Sequence, residues 1–326
     1  MRVTLALLCC LWGMLDIEGA TIEAVGPENP HTPSFVPFVT VTGGGSLMAK
    51  GATFRGLGFG QTPKFSGLSV AGSLLTQNKG KVVIRDSLFD GIKRVTIAGN
   101  TGAKITGNTF VNPSDSTLNL TNAAHVKIDN NLFVGGSHTN ALRIEQGSIH
   151  TQVSRNLFLG GERVAVIVSG RSDHVQVRDN LIWKRQGAGI KFLQTRCGLV
   201  ENNIILDNFQ KGVEVRKSNG LVVNANLIAG NSNAGIWVSA QTPEAQTALS
   251  ANVLVANGSG VAAATGAEIF LHSNNFAGQL PKLLEGDIAR LTRGVVVDLK
   301  GEKPLRFDKG KSDRTALNSP LCGSGS

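Results

Sequence analysis

An asparagine returns every twenty-odd residues along most of this chain. Asn108, Asn131, Asn156, Asn180, Asn203, Asn226, Asn252 and Asn274 are separated by 23, 25, 24, 23, 23, 26 and 22 residues. Most are followed two positions later by Phe or Ile, as at Phe110, Phe133, Phe158, Ile182, Ile205, Ile228 and Phe276. A period of this size is the signature of a solenoid, in which each repeat buries its apolar side only by stacking on the next.

The interior of the repeat decides which solenoid. Upstream of each Asn lies a short alternating segment such as Val126-Lys127-Ile128, Val175-Gln176-Val177 or Leu221-Val222-Val223. Earlier still lies a second, reading small-apolar-x-apolar: Ala141-Leu142-Arg143-Ile144, Gly189-Ile190-Lys191-Phe192, Gly212-Val213-Glu214-Val215 and Gly235-Ile236-Trp237-Val238. With the apolar triplet after the Asn, each repeat carries three short period-two strands, too short and too β-branched for helical repeats. The expected fold is all-β: a single-stranded right-handed parallel β-helix of about ten three-strand coils, stacked ~4.8 Å apart. The corner asparagines then bond amide to amide between coils, and the Phe or Ile two residues on stacks inside.

Forty Gly and 5 % aromatics suit tight corners around a narrow aliphatic core. The beat runs from about Phe54 to Phe276, which sets the expected boundaries. These are a signal peptide at 1–20, a Pro- and Gly-rich lead-in or cap at 21–50, the β-helix at 51–280, and a C-terminal cap with a charged tail at 281–326. A short closing helix is expected over Leu283 to Leu291.

Arg2 precedes an apolar stretch, Val3 to Leu15, too short to span a bilayer, and Glu18-Gly19-Ala20 offers an approximate small-residue cleavage site. The expected location is periplasmic or secreted, with no transmembrane span in the mature chain. Cys9 and Cys10 fall in the leader; Cys197 and Cys322 remain, too few for a disulfide framework.

Removing residues 1–20 takes away Arg2, Asp16 and Glu18 and leaves 31 basic and 21 acidic residues, net +10. For an exported solenoid the matching polyanion is an acidic polysaccharide. Nucleic acid is set aside because basic residues are not interleaved with aromatics.

Strand alternation points the x position outward, so Asn119, Arg143, Ile167, Lys191, Glu214 and Trp237 form one column and Thr121, Glu145, Ser169, Leu193, Arg216 and Ser239 its neighbour. The expectation is a mixed charged strip along a flat sheet, with Trp237 offering a ring for a sugar to stack on; alternatively these charges only solubilise an exposed sheet. A second column lies six residues before the ladder Asn: His125, His150, His174 and Cys197. It reads as a His and thiolate metal site or a pH-responsive stack. The alternative is a corner that wants residues tolerant of left-handed backbone, since Gly102 and Gly220 share the phase.

The segments Phe54-Arg55-Gly56-Leu57-Gly58-Phe59 and Phe65-Ser66-Gly67-Leu68-Ser69, followed by Asn-ladder coils with Gly-Ile/Val strands, resemble the β-helix domain of the periplasmic mannuronan C5-epimerases of alginate-producing bacteria. The resemblance covers about residues 50–280. It implies proton abstraction at C5 of β-D-mannuronate within the polymer, giving α-L-guluronate, and work beside an envelope polysaccharide-export complex. The family's Asp-Pro-His-Asp segment falls on Asn119-Leu120-Thr121-Asn122, and its carboxylate-handling Arg falls near Gln146.

Removing a proton alpha to a carboxylate needs a cation on that carboxylate, a base on one face, and an acid or water on the other. The chain has no Tyr. The candidates are therefore Arg143 or Lys191 as cation and His138 as base, with Asn119, Thr121, Glu145, Glu214, Arg216 and Trp237 binding substrate. No cofactor is required; calcium and a transition metal stay open. A C5-epimerase is the leading expectation, beside a β-eliminating lyase that shares its first step and a non-catalytic β-helix that binds or guides the polymer.

Overall fold

The computed structural model describes residues 7–11, 13–24, 36–58, 66–71, 79–136, 139–291 and 322. They fall into two compact units, Met1–Arg163 and Val164–Ser326. Both are built from strands of three to six residues that recur in threes, each pairing in parallel with its counterpart a coil away. The expected parallel β-helix is what the chain forms.

In the N-terminal unit the first sheet comprises Leu7–Leu11, Phe38–Thr42, Leu68–Ala71, Val95–Ala98, Leu118–Thr121 and Leu142–Glu145. The second runs from Met14–Glu18 to Gln152–Ser154 and the third from Thr21–Glu23 to Leu157–Leu159. The C-terminal unit's first sheet comprises Val166–Ser169, Ile190–Leu193, Val213–Arg216, Ala234–Ser239, Ser259–Ala264 and Leu284–Gly286. Its second and third sheets run from Gln176–Arg178 to Glu268–His272 and from Leu181–Trp183 to Val253–Val255.

Two segments differ from their sequence expectation. Coils begin before residue 51: Met14–Glu18 pairs with Ser46–Lys50, and Thr21–Glu23 with Thr53–Arg55. The reason lies in the alternation Leu15-Asp16-Ile17-Glu18, which turns Ile17 into the core and leaves Asp16 and Glu18 exposed, with Glu18 ion-paired to Lys50 at 2.6 Å. At the other end the helix is only Asp287–Leu291, because Leu284–Gly286 is still a strand. Among the described residues, no helix is long and apolar enough to cross a membrane.

The residues after the ladder Asn fill the interior. Phe54, Phe89, Phe110, Phe133 and Phe158 stack with centroids 4.7–4.9 Å apart and planes within 12°. Such stacking adds about 0.5–1.5 kcal/mol per pair beyond area burial. In the C-terminal unit the same phase holds Ile182, Ile205, Ile228 and Leu254, all fully buried.

The asparagines bond as the period requires. In the N-terminal unit Nδ2 of Asn108 donates to Oδ1 of Asn131, and Nδ2 of Asn131 to Oδ1 of Asn156, each at 2.9 Å. In the C-terminal unit the chain Asn180, Asn203, Asn226, Asn252, Asn274 repeats this at 2.9 Å throughout. Each Oδ1 also accepts a backbone N–H, as from Asn108 to Asn131 at 2.9 Å, so the corner's buried polar groups are satisfied from inside the protein.

A second amide ladder runs through the C-terminal unit: Asn208 to Asn231, Asn231 to Asn257, and Asn257 to Gln279, at 2.8, 2.8 and 3.0 Å. The corner beside it is close-packed: a Cβ on Gly212 would lie 2.5 Å from Cγ2 of Ile228, 2.6 Å from the Gly235 carbonyl oxygen and 3.1 Å from Nδ2 of Asn231.

Candidate functional site

On the first sheet of the N-terminal unit, register places Thr40, Ser69, Thr96, Asn119 and Arg143 in one column. They alternate with the core residues Val41, Val70, Ile97, Leu120 and Ile144, so they face away from the interior. Facing away does not expose them: Thr96 is 1 % and Asn119 5 % exposed, which corrects the expectation of an open strip at Asn119. Thr121, half-buried, pairs in register with Glu145 in the neighbouring column.

Two guanidinium groups close this polar bed. Nη2 of Arg143 donates to Oε2 of Glu145 at 2.6 Å, and the buried Arg94 is ion-paired with Asp115. Burial, and next the Arg143 cation, push the Arg94 guanidinium below its ordinary value, while Glu145 offsets part of the effect. Arg94, Arg143 and Glu145 thus act as one electrostatic cluster. Within it Nε of Arg94, Nε of Arg143, Oγ1 of Thr96 and Oδ1 of Asn119 are buried without a hydrogen-bond partner.

The C-terminal unit holds Lys191, Glu214 and Trp237 in register on its first sheet. Glu214 is 6 % exposed and bracketed by two ammonium groups, Lys191 at 3.1 Å and Lys211 at 3.8 Å. Lys191 is therefore matched by a protein carboxylate, as Arg143 is by Glu145. Lys211 also stands 5.8 Å from the centroid of the half-buried Trp237 ring, within cation–π range. Arg216 is exposed between Leu193 and Ser239. Arg143 belongs to the N-terminal unit, and these residues to the C-terminal one. His138 lies outside the described residues.

The His and Cys column is explained by backbone conformation. His125, His150, His174 and Cys197 have φ of 54, 53, 58 and 55°, and the glycines in phase, Gly102 and Gly220, have 78 and 66°. The rings of His125 and His150 lie face to face at 4.9 Å and 3°, which does not converge their nitrogens on one point. Cys197 is joined to Cys322 in a disulfide across 125 residues, with Cα atoms 5.4 Å apart. The sulfur is thus no thiolate ligand, and the two cysteines do pair, contrary to expectation. No group of three or more His, Cys, Asp or Glu among the described residues could hold a metal ion.

The model of the right handed beta helix region family matches residues 44–182, 90–254 and 175–276, together more than half of the chain. The chain belongs to that family. As a right-handed β-helix protein it is similar in fold to a threonine-to-asparagine mutant of the periplasmic alginate epimerase AlgG. The match has 18 % identity and a TM-score of 0.73, over 85 % of this chain and 70 % of the other. The AlgG structure without that substitution matches at 18 % identity and a TM-score of 0.64, over 81 % and 66 % of the two chains. No curated protein sequence matches.

The sequence reading of this β-helix missed Thr96, Arg94 and Asp115. Thr96 was within reach, because subtracting one 23-residue period from Asn119 gives its position. Arg94 stands directly before the strand Val95–Ala98 and faces outward with Thr96.

Proposed function

We propose that this chain binds an acidic polysaccharide, a uronate polymer of the alginate type, on the outward face of the first sheet in its N-terminal unit, and exchanges the proton at C5 as a C5-epimerase does. The observation that carries the reading is the Arg143–Glu145 pair at 2.6 Å, whose guanidinium side chain is 38 % exposed on the outward face of the sheet. A uronate carboxylate suits a guanidinium in bidentate geometry. The fold shared with alginate epimerases supports the same ligand class.

On this reading Arg143 trades Glu145 for the sugar carboxylate. Neutralised there, the carboxylate stabilises the enolate that forms when C5 loses its proton. The base is His138 or the freed Glu145; water delivers a proton to the opposite face and completes the inversion. If the enolate's electron pair instead expels the C4 oxygen, the product is an unsaturated chain end and the activity is a lyase. No cofactor enters.

A second reading, a non-catalytic β-helix that binds or guides the polymer, is favoured by one structural observation: Asp115 and Glu145 are both held in ion pairs. It agrees with the resemblance, in which Thr121 falls where the Asp-Pro-His-Asp segment has its histidine.

Export to the periplasm or beyond, and attachment to a polysaccharide-export complex, belong to the same proposal; because Met14–Glu18 pairs with Ser46–Lys50 as part of the β-helix, loss of residues 1–20 is not part of it. The Cys197–Cys322 disulfide supports it, since such bonds persist in oxidising compartments.

Incubation with polymannuronate in D2O tests all three outcomes together. Deuterium at C5 with guluronate signals by NMR marks the epimerase, absorbance of unsaturated ends the lyase, and retention on a polymannuronate gel without either the binder. Arg143→Gln should weaken retention roughly tenfold, the worth of about 1.4 kcal/mol. No retention of the unaltered chain at low salt would sink the proposal.

A further inference from the structure

The C-terminal unit carries a cavity of about 330 Å³ at the turns that join its first sheet to its second, away from the outward face of either sheet. Three successive turns line it with cations: Arg171 after the strand Val166–Ser169, Arg196 after Ile190–Leu193, and Lys217 after Val213–Arg216. All three are exposed at the mouth. The one carboxylate present, Asp173, accepts the backbone N–H of Arg196 at 2.7 Å.

The rest of the lining is neutral and polar. Thr195 and Ser218, each 2 % exposed, form a floor in which the Thr195 hydroxyl donates to the Ser218 hydroxyl at 3.2 Å. Gln194 and Asn219 add amide groups at the sides. On the adjoining turn Gln241 accepts the Ser218 N–H at 2.6 Å through Oε1, while its Nε2 is buried without a partner.

We infer that this cavity is a binding site for a single anionic sugar, a hexuronate or its sulfated equivalent. Three cations against one engaged carboxylate call for an anionic group. The hydroxyl and amide floor calls for a ligand that also carries several hydroxyls. The volume falls at the lower end of the range for small-molecule sites, too large for a bare oxyanion to fill. The site is held by repetition: left-handed backbone at Arg171, Gln194 and Lys217, with φ of 62, 57 and 49°, turns each coil at the same place.

The test titrates the full chain at low salt with mannuronate and glucuronate monosaccharides, mannose and inorganic sulfate, followed by NMR and calorimetry. The same titrations are run on Arg196→Gln, on the double variant Arg196→Gln/Lys217→Gln, and on Lys104→Gln, an exposed second-sheet lysine outside both sites that serves as a charge-matched control. The altered residues are exposed, and circular dichroism confirms the fold of each variant. The expected result is uronate binding at least tenfold tighter than mannose, lost in the double variant and unchanged in Lys104→Gln. Three results overturn the inference: no uronate binding, binding kept in the double variant or lost equally in Lys104→Gln, or sulfate binding as tightly as uronate. The probes are monosaccharides and the variants lie outside the first-sheet face, so failure to epimerise polymannuronate leaves this result untouched.

Discussion

Oδ1 of Asn231 accepts both the backbone N–H and the Nδ2 of Asn208, at 3.1 and 2.8 Å, with both residues fully buried. Replacing Asn231 by Leu would leave two buried donors of Asn208 without an acceptor. Each such orphan costs about 1–3 kcal/mol, so Asn231→Leu should destabilise the chain by roughly 3–5 kcal/mol. Urea denaturation reads this directly, and a loss under about 1 kcal/mol would mean that the neighbouring carbonyls or water take over the ladder.

The Cys197–Cys322 bond closes a loop of 125 residues. Chain-entropy arguments give roughly 4–5 kcal/mol for loops of this order, and measured values run about 2–4. Cys322→Ser should therefore lower the thermal midpoint under non-reducing conditions and lose that difference when a reductant is present. Gly220→Ala should act in the same direction, because its Cβ would fall 2.6 Å from the Cys322 sulfur at a φ of 66°. Two free thiols titrating in the folded chain would refute the pairing.

How far the sequence reads depends on whether a property repeats. The Asn ladder, the Phe stack and the register of Lys191 with Glu214 and Trp237 follow from a period that can be counted. The second ladder lies five residues after the first at Asn208, Asn231, Asn257 and Gln279, but Pro113, Gly136, Gly161 and Arg185 occupy that phase elsewhere and hide it. Strand alternation gives the side on which Asn119 and Glu214 emerge; it carries nothing about what lies over that side, and both are buried. The disulfide was illegible for another reason: Cys322 falls outside the repeats, so no count places it beside Cys197.

The left-handed corner gives a test that separates backbone from metal. His150 has a φ of 53°, where glycine is at ease and a β-branched residue is strained. His150→Gly should leave stability within about 1 kcal/mol, and His150→Val should cost on the order of 1–3 kcal/mol. Purified protein should carry no stoichiometric transition metal by elemental analysis. Equal losses for both variants, together with bound zinc or copper, would restore the ligand reading.

Arg185 stands at the head of the second ladder, where its backbone N–H donates to Oδ1 of Asn208 at 3.0 Å and its side chain is fully buried. Desolvation pushes its guanidinium down to about 10, well below its ordinary value. A base whose folded value is depressed carries a penalty that is complete below the folded value and is relieved as pH rises toward the unfolded one. Above about pH 10, until the unfolded chain's guanidinium also deprotonates, the unfolded chain therefore binds more protons at this site, so its contribution to stability increases with pH. Arg185→Met keeps the length of the side chain and the backbone bond to Asn208 while removing the buried charge. It should leave stability at neutral pH unchanged or raise it, by no more than about 3 kcal/mol. It should also flatten the pH dependence of the denaturation midpoint above pH 10 relative to the unaltered chain. A loss of several kcal/mol at neutral pH would show instead that the guanidinium's own hydrogen bonds, such as that from Nη2 to the Val164 carbonyl at 3.4 Å, outweigh its desolvation.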